Sequence, residues 1–216
     1  MRLSKKITVA ALLSAVSIFG ATTAQAQDLF DGGRLAGGSS QVANLSSVPE
    51  NQALPEIDQK VDLERYQGRW YQVAAIPQPY SLQCSNDTTA DYGVIDENTI
   101  SVINSCDTPF GPSVITGKAD VRSDASLKVT FGGVPFQTEG GEPNYRVTYL
   151  EDDYSLAIVG SPNRLSGFVL SRTPDLSAEE WAKVRNITED RGWWSCAFVT
   201  VPAAGGMNNP APLCTI

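Results

Sequence analysis

From Val61 onward, short runs rich in β-branched and aromatic residues alternate with turn residues. Residues 70–76, 88–95, 99–104, 114–122, 127–131, 145–150, 155–159 and 167–171 predict eight strands. The breaks between them are Asp96-Glu97-Asn98, Ser123-Asp124, Gly132-Gly133, Gly140-Gly141, Asp152-Asp153 and Ser161-Pro162-Asn163, which are turn formers. Strands spaced about ten residues apart and joined by tight turns predict an antiparallel meander, closed into a barrel or folded as a sandwich. The period then changes. Ser177 as N-cap and Glu180 three residues on form a capping box, with Leu176 and Trp181 placed to staple across it. Trp181, Val184 and Ile187 make one apolar face, and Gly192 supplies the stop, so one helix is predicted against the outside of the strands. Residues 196–201 read as a ninth short strand, and 203–216 as a C-terminal tail.

The amino-terminal pattern is of a different kind. Arg2, Lys5 and Lys6 precede an apolar run over 7–19, and Ala24-Gln25-Ala26 follows as a small-x-small cleavage site. This predicts a bacterial signal peptide over 1–26 and a product that is secreted or held in the cell envelope. The run is short for a membrane span, and no cysteine lies near the cleavage point, so neither a membrane span nor a lipid anchor is expected. Residues 27–58, with Gly32-Gly33, Gly37-Gly38-Ser39-Ser40, Pro49 and Pro55, read as a flexible linker before a folded domain over 59–202.

Composition narrows the chemistry. The sequence contains no histidine, which excludes Ser-His-Asp triads, His-ligated zinc and a histidine base. With 16 Lys+Arg against 24 Asp+Glu the chain is acidic and lacks the basic surface that nucleic acid requires. Cys84, Cys106, Cys196 and Cys214 lack a C-x2-C pair, so disulfides are expected rather than a metal site. Three pairings are open. Cys84 with Cys106 and Cys196 with Cys214 are favoured because each pair brackets a local segment.

Alternation assigns the faces of the strands. Tyr145, Val147 and Tyr149 share one face, with Arg146 and Thr148 on the other, outer one. Ala90 and Tyr92, Val102, Gly117, Ala119 and Val121, Leu127, Val129 and Phe131, and Phe168 with Leu170 point inward by the same rule. These inward sets hold no Lys, Arg, Asp or Glu, which suits an elongated apolar ligand with tyrosine hydroxyls available to a polar head.

Three segments carry a resemblance. Leu63-Glu64-Arg65-Tyr66-Gln67-Gly68-Arg69-Trp70-Tyr71 resembles the opening signature of the lipocalins, Glu151-Asp152-Asp153-Tyr154 the second, and Gly167-Phe168-Val169-Leu170-Ser171-Arg172-Thr173-Pro174 the third. They stand in order and at family spacing over about Val61 to Pro202, most like the bacterial lipocalins and the apolipoprotein D group. The resemblance implies an all-β, eight-stranded antiparallel up-and-down calyx barrel with one C-terminal helix outside and a short ninth strand. It implies structural roles for Gly68, Trp70, Asp153 and Arg172, with the Arg172 guanidinium stacked on Trp70. It also implies a secreted carrier for a small hydrophobic molecule such as a fatty acid, lysolipid or isoprenoid, without a cofactor. The expected ligand contacts are Tyr92, Val102, Phe131, Tyr145, Val147, Tyr149 and Phe168. An apolipoprotein D-like pairing would instead tie Cys84 to the C-terminal segment. The competing classes are a protein-interaction or scavenger module and a lipid-modifying enzyme. Catalysis in the barrel would need an inward thiol, carboxylate pair or histidine, which the inward faces do not supply.

Overall fold

The computed structural model describes residues 48–135, 137–138 and 140–216; the predicted signal peptide and the linker as far as residue 47 lie outside them. Strands β1 (Gly68–Ala75), β2 (Asn86–Asp96), β3 (Thr99–Thr108), β4 (Gly111–Val121), β5 (Ser126–Phe131), β6 (Tyr145–Leu150), β7 (Leu156–Gly160) and β8 (Gly167–Ser171) pair antiparallel in sequence order. Pairing of β1 with both β8 and β2 closes the sheet into an eight-stranded barrel. Closure removes the free edges that would otherwise template association. The ninth strand, β9 (Val199–Thr200), pairs with Ala74 and Ala75 of β1.

Among the described residues two α-helices frame the barrel. The one-turn α1 (Leu63–Tyr66) is capped by Asp62, which accepts from the backbone N–H groups of Glu64 and Arg65. The longer α2 (Ala178–Asp190) starts at the expected capping box: the Glu180 N–H donates to Ser177 Oγ at 3.2 Å, and the Ser177 N–H to Glu180 Oε2 at 2.7 Å. Its Trp181 and Val184, with Leu176, Val73, Ile158, Val169 and Phe198, form an apolar cluster on the outer face of the barrel. A second cluster fills the interior and includes Trp70, Tyr92, Val102, Tyr145, Val147 and Leu170. The disulfides are Cys84–Cys106 and Cys196–Cys214, the locally bracketed pairs. The first ties the β1–β2 loop to β3. The second ties the turn before β9 to the tail, where Leu213 is fully buried in the outer cluster.

The sequence reading of 27–58 as flexible linker fails over its last part. Leu54 is fully buried in the outer cluster, and its N–H donates to the Pro162 carbonyl at 2.8 Å. The Ile57 N–H donates to the Val147 carbonyl at 3.1 Å, and Ile57 packs against the interior cluster. Arg146 explains the docking. Its guanidinium donates to the Leu54 carbonyl at 2.8 Å and contacts the carboxylates of Glu50 at 2.9 Å and Glu56 at 3.5 Å. Glu56 in turn accepts from the hydroxyls of Ser123 and Ser126. Arg146 points outward as alternation requires, but this strap covers it.

Candidate functional site

The two ends of the barrel differ. At one end α1, the β2–β3 and β4–β5 turns and the β6–β7 turn converge, and the three signature segments meet there. Gly68 enters β1 at φ +91°, a conformation that glycine adopts without strain. Two residues later the fully buried Trp70 donates its indole N–H to the Tyr66 carbonyl at 2.8 Å. The Arg172 guanidinium lies 3.9 Å from the centre of the Trp70 ring. It donates to the carbonyls of Arg65 (2.8 Å), Gln67 (3.0 Å), Arg69 (2.8 Å), Tyr66 (3.3 Å) and Tyr154 (3.2 Å). This fork fixes α1 and the start of β1 to the β6–β7 turn. Burial draws the Arg172 pKa below its ordinary value. Asp153 holds the turn itself, accepting from the Ser155 N–H at 3.0 Å, and the Ser155 hydrogen bonds pull its carboxyl below the usual range.

Above this plug lies a floor of three tyrosines. Tyr145 Oη is 2.8 Å from Tyr66 Oη and 3.2 Å from Tyr92 Oη. The Tyr66 ring centre is 4.9 Å from Trp70 and 5.5 Å from Tyr92. Burial raises all three hydroxyls, Tyr92 to about 12 and Tyr66 and Tyr145 well above the ordinary tyrosine value. A cavity of about 330 Å³ opens at the α1 end, with Val61, Leu63, Tyr66, Leu127 and Val147 among its walls.

Toward the other end the lining changes to aromatic and small residues. Phe131 and Phe168 are half-buried and pack on the interior cluster. Gly117 pairs with Val102 and Phe131, and a Cβ there would run into the Thr130 carbonyl oxygen and lie 2.8 Å from the Phe131 ring. Glycine is required there by the backbone of the neighbouring strand, with the ring a second constraint. Cross-strand pairing also places Gln72 beside inward Leu170, and Asn104 beside inward Ala90. The Asn104 Oδ1 is buried and accepts no hydrogen bond from the described residues. Such an oxygen costs about 1–3 kcal/mol unless something donates to it.

Of the expected contact residues, Tyr92, Val102, Tyr145 and Val147 are in the interior cluster, with Phe131 and Phe168 against it. Tyr149 is not among them. The β6–β7 register shifts between Val147 and Tyr149, so strict alternation ends there. Tyr149 falls in the outer cluster, with Lys183 of α2 at 5.4 Å from its ring, while Leu150 takes the inward position. Thr148 is fully buried on the outside, where it accepts from Arg191 at 3.0 Å. The sequence reading missed Tyr66, Gln72 and Asn104. Alternation from Trp70 and from Val102 leads to the last two.

A closed up-and-down barrel with a plugged end and an outer helix defines the lipocalin class, and residues 61–203 match the lipocalin-like domain model. The chain belongs to the lipocalin family. It is 33% identical over 146 residues to temperature-induced lipocalin-1 of Arabidopsis thaliana, covering 64% of this chain and 77% of that one. It is 32% identical over 152 residues to the outer membrane lipoprotein Blc of Escherichia coli strain K12, covering 67% and 80%. Among solved structures, the cockroach allergen Per a 4 superposes with a TM-score of 0.55 at 15% identity, over 69% of this chain and 93% of that one. Lipocalins generally bind small hydrophobic ligands and are not, in general, enzymes. Among the described residues no helix is long and apolar enough to cross a membrane.

Proposed function

We propose that this protein is an exported carrier that holds one small lipid in the barrel, between the tyrosine floor and the end bearing Phe131 and Phe168. The observation that carries the reading is the partnerless Asn104 Oδ1 within an otherwise uncharged, aromatic-rich lining. An apolar chain would lie against Phe131, Phe168 and Ala90, and a hydroxyl on the ligand would donate to Asn104. A lysolipid or fatty alcohol suits this arrangement, because its head carries a donor. A fatty acid could use the Asn104 amide N–H instead. The plug of Trp70 and Arg172 would give the proposed ligand site a rigid base without touching the ligand. The role is one of binding, with no catalytic group assigned, and the amino-terminal pattern supports export. Native mass spectrometry of protein purified from its own host tests the reading. A lipid-sized mass that disappears on organic extraction is expected. Bare polypeptide mass, together with no uptake when lysolipid is added back, would overturn it.

A further inference from the structure

Nine large apolar side chains stand exposed among the described residues, and five of them sit on the four loops at one end of the barrel. They are Tyr80 (67% exposed) and Leu82 (76%) between β1 and β2, Phe110 (100%) between β3 and β4, Val134 (41%) between β5 and β6, and Leu165 (73%) between β7 and β8. In an up-and-down barrel these four connections share one end, the end away from the Trp70 plug. Every loop there contributes. Exposed apolar side chains scattered singly are ordinary; a set contributed by every loop at one end is the pattern of an interaction site.

The charge around these side chains selects the partner. Residues 76–86 and 108–116 contain no Lys, Arg, Asp or Glu, the β5–β6 loop carries Glu139 and Glu142, and the single basic residue of the β7–β8 loop, Arg164, is engaged by the carbonyls of Gln52, Ala53 and Arg191. An anionic membrane recruits clusters of Lys and Arg, which these loops lack. A protein interface of this kind would place Arg with its aromatic residues at the centre and surround them with a polar rim. The uncharged tips of the β1–β2 and β3–β4 loops, bearing Tyr80, Leu82 and Phe110, instead match the headgroup and upper acyl region of a zwitterionic bilayer, where amphipathic rings and apolar tips are accommodated.

We propose that this end of the barrel docks on a net-neutral phospholipid surface through Tyr80, Leu82, Phe110, Val134 and Leu165. Docked this way, the protein would present the mouth of the barrel to the bilayer, so a lipid could pass between the two without crossing water. The docking surface stands on its own geometry; that second role rests on the ligand-binding reading above.

Flotation with extruded phosphatidylcholine vesicles tests the surface, with a parallel series containing phosphatidylserine. The full protein is expected to float with phosphatidylcholine, with little effect of salt and no gain from phosphatidylserine. A Leu82→Asp/Phe110→Asp variant should lose roughly tenfold or more of its partitioning. Both sites are exposed, so its melting temperature should match the parent. Ile95, 59% exposed at the opposite end of the barrel, is the control, and Ile95→Asp should float like the parent. A Phe110→Trp variant gives a second readout that needs no loss of binding: its emission should shift to the blue with vesicles. Absence of flotation at millimolar lipid, binding that requires phosphatidylserine, or equal loss in Ile95→Asp would each overturn the proposal. So would self-association abolished by the double substitution, which would assign the loops to a second copy of the chain. Phe168→Arg, directed at the proposed ligand lining, should leave flotation intact. Retained flotation with no lipid uptake would refute the carrier reading and not the docking surface.

Discussion

Removing the Arg172 guanidinium should weaken the fold and leave the ligand region intact. In Arg172→Ala the carbonyls of Arg65, Tyr66, Gln67, Arg69 and Tyr154 all lose a donor, and the face of Trp70 loses its cation. A hydrogen bond to a charged group is worth about 1.5–3 kcal/mol and is not additive with its neighbours. The ring contact adds about 0.5–2 kcal/mol. The outer carbonyls regain water once the side chain is gone, and the desolvation that lowers the Arg172 pKa is relieved, so the net loss is about 3 kcal/mol. For a domain of this size that corresponds to a fall of roughly 6–12 °C in Tm. Thermal and urea unfolding followed by circular dichroism measures it. Arg172→Lys should recover little, because an ammonium cannot reproduce the planar fork that reaches several carbonyls at once. A lysine variant as stable as the parent would refute the reasoning, as would an alanine variant that melts normally but no longer binds lipid.

Two other perturbations test the packing. The tyrosine cluster should make stability fall at alkaline pH: an unfolded tyrosine loses its proton near pH 10, whereas burial raises folded Tyr92 to about 12 and holds Tyr66 and Tyr145 well above the ordinary tyrosine value. The contribution is complete below pH 10 and is lost as pH rises into the raised folded range, so absorbance at 295 nm should show the accessible tyrosines titrating first and the cluster only together with loss of the fold. Leu54→Ala should cost about 2–5 kcal/mol in urea unfolding, as for a fully buried leucine in a core; a change below about 1 kcal/mol would mean that the strap over Arg146 does not hold in solution.

The barrel was legible because its local signals agree. Turn pairs separate the strands, Ser177 and Glu180 cap the helix, and the cysteines bracket short segments, so the boundaries of β6 and β8 match the expected ones. The facing of β6 was not legible past Val147, because a bulge adds a residue to one strand without changing composition. One sign was present: strict alternation would have put Leu150 on the outer face with Arg146 and Thr148. The strap shows the opposite failure. Its Gly, Ser and Pro content suggested a linker, and what holds it, Arg146, lies more than 90 residues away in sequence. Asn104 was hidden by its place at the end of the expected third strand, which in fact runs on to Thr108.

The claim that the barrel binds lipid through the residues above the tyrosine floor is tested most directly by titrating the protein with a fluorescent lysolipid or fatty acid, beside Phe168→Arg. Burying about ten methylenes at roughly 0.8 kcal/mol each gives about 8 kcal/mol before the costs of association, so a micromolar Kd is expected. The substitution places an unpaired cation in the apolar lining and should weaken binding by at least about a hundredfold. A Kd no tighter than about millimolar for the parent, or the same Kd for parent and Phe168→Arg, would contradict the account.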